Sequence, residues 1–240
     1  MKSLIPFTFI CLALFIGCKK ETTNNGGALL RQVTVDGKLQ ESFEYNSENQ
    51  LIKDYSYFMG CTSPTDELFY MYKNKQLDSL KSVIRSLYSS TSPICNPLAG
   101  IRYYSAFEYD TQGRINKIIK DNSVISLFYN TRGLVEKQTI SGGGTNLYIS
   151  TYKYDTRGNL TEVTDGQGNI TRYEFDTKIN PYYLIKRHPD IITAFIVSPN
   201  NVVRVNYASG NQIIKYEYNS QGLPDKMFDP NGLTYVFVYQ

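Results

Sequence analysis

The chain has 240 residues, with 25 Lys and Arg against 22 Asp and Glu and a formal charge of +3. That length suffices for one β domain with a real core, and the near-balanced charge gives no electrostatic case for binding nucleic acid. The 21 Tyr and 12 Phe, with no Trp, favour strands.

Residues 1–17 read as a targeting segment. Lys2 supplies the positive start, and 4–16 form an apolar run too short to span a bilayer as a stable helix. The end of this segment, Leu14-Phe15-Ile16-Gly17-Cys18, resembles a bacterial lipobox, with Phe15 and Ile16 larger than the residues usual there. The resemblance implies cleavage before Cys18 and acylation of that residue, which ties a chain firmly to a membrane. The alternative is an ordinary secretory signal with an incidental cysteine. No aspartate follows the cysteine in Lys19-Lys20-Glu21, which favours the outer membrane, on either face. Residues 18–28 are polar and glycine-bearing and read as a flexible tether. Residues 29–240 are expected to form one domain.

Asp36-Gly37 between β-branched residues offers a two-residue hairpin turn. From residue 43 onward one unit repeats. Its clearest copy is FEYDTQGRINKI, residues 107–118. Phe107 and Tyr109 lie two apart, so in extended chain they share a face. Asp110 suits the start of a type I turn, because its side chain can accept from amides just ahead. Gly113 supplies the left-handed residue that a three-residue hairpin loop needs. Ile115 and Ile118 lie three apart, which indicates a bulge or a strand buried on both faces. The pattern returns with Gly133, Gly158 and Gly222, and weaker copies lie at 43–54, 69–80 and 173–183. Steps of 20 or 21 residues separate Tyr109 from Tyr129, Tyr154 from Phe175 and Tyr218 from Tyr239. Such a period marks a stacked array of one supersecondary unit.

The Tyr-Asp pairs followed by Gly-Arg or Gly-Asn, at Tyr109-Asp110…Gly113-Arg114 and Tyr154-Asp155…Gly158-Asn159, resemble the YD repeat of the RHS/YD-repeat family. The chain is also similar to small YD-repeat bacterial lipoproteins of unknown function. The resemblance implies antiparallel sheets that curl into shells. Some members bind carbohydrate or enclose toxins.

The predicted fold is all-β: a single curved antiparallel meander of about a dozen strands, partly rolled and up to a half-barrel, because this exceeds the usual sheet size. In a meander, successive turns alternate between two ends. The turns at 46–50, 73–76, 110–113, 130–133, 155–158, 176–180 and 219–222 then share one uniform end. The opposite end collects Asp36-Gly37, the long loops 59–66 and 89–100, and the turns at 121–122, 141–146, 165–168 and 229–232. Irregular loops on a rigid sheet are the usual place for a binding surface, so this cysteine-bearing end is the first candidate. Cys61 and Cys95 flank one predicted hairpin, 67–88, and an envelope compartment would join them in a disulfide; two free thiols are the alternative.

Residues 181–199 break the rhythm. Three prolines and an apolar run predict an irregular excursion with a short helix at about 190–196, within 188–197, capping the sheet or its concave face. The tyrosines Tyr109, Tyr129, Tyr154 and Tyr218 have two readings. They are core, with hydroxyls at the rim, or an exposed stripe on a concave face that stacks sugars or an apolar ligand. The intervening Glu108, Lys153 and Glu217 mark the other face as wet. His188, the one histidine, reads as a loop residue rather than a general base. The Asp165 and Asp229 segments read as turns rather than calcium loops. No catalytic residue, metal or cofactor is expected. The sequence thus predicts a membrane-anchored, non-enzymatic binding or scaffold module with a glycan or protein partner. A carrier of lipid or a small apolar molecule in a trough of the sheet is the alternative, and a glycan-active enzyme is the weakest.

Overall fold

The computed structural model describes residues 28–57, 61, 63–84, 86–89, 92–95, 100–142, 145–188 and 192–240, with the backbone alone at 86–89, 92–95, 145 and 146. The signal segment, the lipobox and Cys18 lie outside the described residues.

Each strand reads directly into the next. The first half holds β1 (Leu30–Val35), β2 (Lys38–Tyr45), β3 (Leu51–Ser56), β4 (Asp66–Lys73), β5 (Gln76–Ile84), β6 (Ser86–Ser89), β7 (Ser92–Cys95), β8 (Ile101–Tyr109) and β9 (Ile115–Lys120). Then come β10 (Ser123–Tyr129), β11 (Val135–Gly142), β12 (Thr145–Tyr154), β13 (Leu160–Thr164) and β14 (Ile170–Ile179). Two short helices, α1 (Pro181–Ile185) and α2 (Ala194–Val197), precede β15 (Asn200–Tyr207), β16 (Gly210–Ile213), β17 (Lys215–Tyr218), β18 (Pro224–Phe228) and β19 (Thr234–Tyr239).

Neighbours in sequence pair antiparallel, except that β5 pairs with β8 past the separate β6–β7 ribbon. Strands β16 and β17 are one stave bent at Ile214, whose N–H donates to Val203 O at 2.9 Å. β16 holds β15 and β17 holds β18. β19 returns to β1, and Leu29 and Gln240 exchange two further backbone bonds. The 17-stranded sheet therefore comes round on itself as a barrel. The half-barrel expectation stopped short of this, and the expected dozen strands was too few.

Closure has a local cause. Six hairpins shift register close to their turns at one end of the sheet: at Tyr45, Tyr109, Tyr129, Tyr154 and Tyr218, the last residue before the turn, and at Tyr72, one residue earlier. Tyr109 faces Ile115 while Glu108 faces Lys117, so Asn116 is an extra, unpaired residue. This bulge accounts for the three-residue step between Ile115 and Ile118. A bulge raises the local twist and bends its strand. Repeated at one height around the sheet, it curls the sheet shut.

The turns follow one template. Asp110 Oδ1 accepts from the N–H groups of Gln112 and Arg114 at 2.9 Å, and the N–H of Gly113, at φ +75°, donates to Asp110 O. Asn130, Asp155 and Asn219 repeat this arrangement. At Asn46 the left-handed position is filled by Asn49 at φ 59°. The turn at Asn74-Lys75 has two residues, both with positive φ.

All these turns fall at one end of the barrel, as parity requires. Two details differ from expectation. Residues 176–179 belong to β14, so no turn forms there, and the excursion itself makes the connection. The opposite end is less irregular than expected, because Asp165 and Asp229 build the same side-chain-capped turn.

Tyr154→Phe should lower stability by about 1 kcal/mol, because the Val135 carbonyl loses its side-chain donor. Gly133→Ala should cost about 1 kcal/mol through backbone strain at φ +76°, since its new methyl meets only Arg114 Nη1 at 3.9 Å. Urea denaturation of each variant measures both.

Candidate functional site

The inward face is aromatic and aliphatic. Leu30, Val33, Phe43, Leu51, Tyr70, Leu80 and Phe237 form one buried cluster around Ile185 of α1. Tyr152, Leu160, Val202, Val205 and Ile214 form a second around Ala194 of α2. Ile118, Ile125 and Leu127 form a third, against which Ile192 packs. The segment 180–199 therefore touches staves all around the ring. It is an internal plug, which agrees with the expected cover of the sheet's concave face and goes further by reaching all three core clusters.

The plug has two helices where one was expected. α2 falls inside the predicted range, and 189–191 lie outside the described residues. α1 was missed, although Asn180-Pro181 carries its signal. Asn180 Oδ1 accepts from Tyr182 N at 3.0 Å, and Pro181 sits where a helix needs no donor. The Asn180 amide also donates to Phe195 O and Ser198 O, tying the plug's two legs together.

One charged strap fastens the plug to the wall. Arg187 Nη2 lies 3.0 Å from Glu41 Oε1, and its Nε lies 2.8 Å from Asp54 Oδ2. Tyr182 O–H donates to the other Glu41 oxygen at 2.8 Å. Asp54 is 3% exposed. Burial pushes its carboxyl up to about 6, against the pull of Arg187. Burial also holds the Tyr182 hydroxyl well above its usual value. Sequence reasoning did not single out Glu41, Asp54 or Arg187. The legible signal was a charge at an inward position: Glu41 shares a face with Phe43 and Tyr45, and Asp54 faces Phe43 across the ladder.

Two chambers lie above the plug, toward the cysteine-bearing end. The first, about 340 Å³, lies beneath the 229–233 turn, with Tyr182, Arg187, Phe195, Tyr216, Tyr235 and Phe237 in its wall. The second, about 440 Å³, is lined by Leu68, Ser82, Tyr103, Ser105, Asn122 and His188. Adjacent plug residues thus face different chambers. His188 sits in the connection as expected, yet it is buried, with the rings of Tyr70 and Phe107 at 5.9 and 6.5 Å.

The tyrosines singled out from sequence point inward, and their hydroxyls are engaged. Tyr109 donates to Leu77 O, Tyr129 to Ile115 O, and Tyr154 to Val135 O at 2.9 Å. Tyr218 instead donates to the Asp176 carboxylate. They are half-buried core, and the exposed-stripe reading finds no support in these contacts. The turn glycines Gly113, Gly133, Gly158 and Gly222 all hold positive φ. Cys61 is disulfide-bonded. The side chain of Cys95, at the end of β7, lies outside the described residues. Asp165 and Asp229 spend their carboxylates on their own turns.

The sequence matches the family described as Teneurin YD-shell over residues 19–239. The chain belongs to the Teneurin YD-shell family. No match was found among curated proteins. Among solved structures, a porin-like protein from Bacteroides uniformis ATCC 8492 is similar at 11% identity and TM-score 0.43, over 88% of this chain and 98% of that one. TcdB2-TccC3 without its hypervariable C-terminal region is similar at 12% identity and TM-score 0.36, over 80% of this chain and 9% of that one. The Photorhabdus luminescens Tc holotoxin pore matches at 10% identity and TM-score 0.36, over 83% of this chain and 11% of that one. At such TM-scores these likenesses carry no argument. The YD-shell sequence pattern and the barrel seen here agree on fold, and the interior chambers are read from this chain's own residues.

The strap makes stability depend on pH. The folded carboxyl of Asp54 titrates near 6, above its ordinary 3.8. Its contribution is therefore complete below 3.8 and is lost as pH rises through about 6. The turn aspartates Asp110, Asp155 and Asp165 are held below their ordinary value, so they do not titrate in this window. Unfolding free energy should fall by about 1.4 kcal/mol between pH 5 and pH 8. Urea midpoints at the two pH values measure this, and Asp54→Asn should flatten the dependence.

Proposed function

We propose that this YD-shell chain is a non-enzymatic binding or scaffold module of the cell envelope, held to a membrane through lipid on Cys18. The observation that carries the non-enzymatic reading is how the buried ionisable side chains are engaged. Glu41 and Asp54 both pair with Arg187, and His188 packs against rings. The Leu14–Cys18 sequence motif supplies the anchor. β1 begins at the uniform end of the barrel, beside Gln240. The tether therefore leaves from the end where the plug enters, and the cysteine loops and chamber mouths lie at the far end. A glycan or protein partner would meet that far end first.

The outer wall supports a barrel bathed in water. Glu44–Lys53, Glu108–Lys117, Lys153–Glu162 and Glu217–Lys226 pair across neighbouring strands at 2.8–2.9 Å. A membrane-spanning barrel needs an apolar outer band where these charges stand. The carrier reading has less support. The plug crosses the space that an apolar trough would need, with Phe195 packed on the second cluster.

Full-length protein should label with palmitate and partition into membranes, whereas Cys18→Ala should be unlabelled and soluble. Unlabelled wild type in the membrane fraction would refute the anchor. We also propose that Cys61 pairs with Cys95. Peptide mapping without reductant should recover the two in one linked peptide, and a free Cys95 thiol would refute the pairing.

A further inference from the structure

We propose that the chamber beneath residues 229–233 binds a small organic ammonium ion. Three observations converge there.

The first is the wall. The rings of Tyr182, Phe195, Tyr216, Tyr235 and Phe237 all line this space. Those of Tyr182 and Phe237 stand at 81°, with centroids 6.0 Å apart, and so form a corner. Ring faces carry negative charge density and attract cations.

The second is the charge balance. Arg187 is the one cation paired with Glu41 and Asp54 among the described residues. Two carboxylates against one guanidinium leave one negative charge in excess, and Glu41 lines the chamber itself. Burial first, and then the neighbouring Glu41 carboxylate, raise the Asp54 carboxyl, while Arg187 and His188 pull it down. A cation entering the chamber supplies the missing charge, whereas an anion would meet repulsion and a neutral ligand would leave the excess in place.

The third is that the protein already makes this kind of contact beside the chamber. The Arg187 guanidinium lies 5.6 Å from the Tyr182 ring centroid and 5.1 Å from that of Phe43. The size fits as well. About 340 Å³ is near the lower bound of ligand pockets and holds a choline-sized ion. A bare metal ion is disfavoured, because hard cations need several converging oxygens and this wall is mostly ring and aliphatic carbon.

The test uses the full chain at pH 8, where Asp54 is ionised, with two probes followed by calorimetry and NMR. One is choline, and the other is 3,3-dimethylbutan-1-ol, its neutral carbon isostere. Choline should bind about tenfold or more tightly than the isostere. Asp54 lies outside the chamber wall, so Asp54→Asn keeps the cavity and should remove most of that preference. Tyr235→Leu should weaken choline about tenfold. Equal binding of the two probes, or no choline binding up to about 50 mM, overturns the proposal. So does choline binding that Tyr235→Leu leaves unchanged in a variant with wild-type circular dichroism. The comparison of probes on wild-type protein stands even if a variant misfolds. The outcome is independent of the envelope reading, because neither probe reports on the anchor or on a macromolecular partner.

Discussion

The structure depends on one repeated hydrogen bond, from a tyrosine hydroxyl at the foot of one hairpin to a backbone carbonyl at the foot of the hairpin before it. Tyr45 donates to Leu30 O, Tyr72 to Leu51 O, Tyr109 to Leu77 O, Tyr129 to Ile115 O, Tyr154 to Val135 O and Tyr239 to Pro224 O. The accepting residue is in each case the ladder partner of the preceding foot residue: Leu51 faces Tyr45, Leu77 faces Tyr72, and Leu30 faces Tyr239. The bonds therefore run as a belt around one rim and across the seam where the chain's two ends meet. Six such bonds at about 1 kcal/mol each are comparable with the whole stability of an ordinary domain. The exposed ion pairs just outside them are worth roughly 0.2–1 kcal/mol each, so the belt outweighs them.

The belt breaks at one place, and the break is where the plug enters. Following the period, the next foot residue after Tyr154 is Phe175, which has no hydroxyl. At that point the chain leaves the rim through Asn180 and Pro181. There Leu160 N–H donates to the Ser198 hydroxyl of the returning leg, and Tyr218 donates to the Asp176 carboxylate. The loss of one hydroxyl thus coincides with the described residues of 180–188 and 192–199 passing into the barrel. Those residues fill the three core clusters and divide the remaining space into two chambers. Barrel, plug and chambers have one origin in the rim.

Much of this could be read from the sequence, and the reasons are local. Turn chemistry is set within five residues, so Asp110 and Gly113 announced their hairpin without help from the rest of the chain. The three-residue step from Ile115 to Ile118 announced the bulge. Parity then placed the turns on one rim, because each hairpin reverses the chain once. Closure was not legible, since it depends on the summed curvature of many bulges and on β19 meeting β1, a contact between opposite ends of the sequence. The strap was hidden for the same reason. Glu41 and Asp54 are separated from Arg187 by well over a hundred residues, and only their inward register hinted at a role. The Asp176–Asn180 stretch misled because it copies the turn composition, while Asp176 in fact accepts from Asn201 N–H within the β14–β15 ladder region.

The central claim is that the belt, and not each hairpin's own turn, joins the hairpins into one cooperative ring. Amide hydrogen exchange on Tyr129→Phe tests it most directly. The account predicts faster exchange at the rim ends of β8 and β9 as well as β10 and β11, with the opposite end unchanged. Faster exchange confined to β10 and β11, or no change at all, would contradict it.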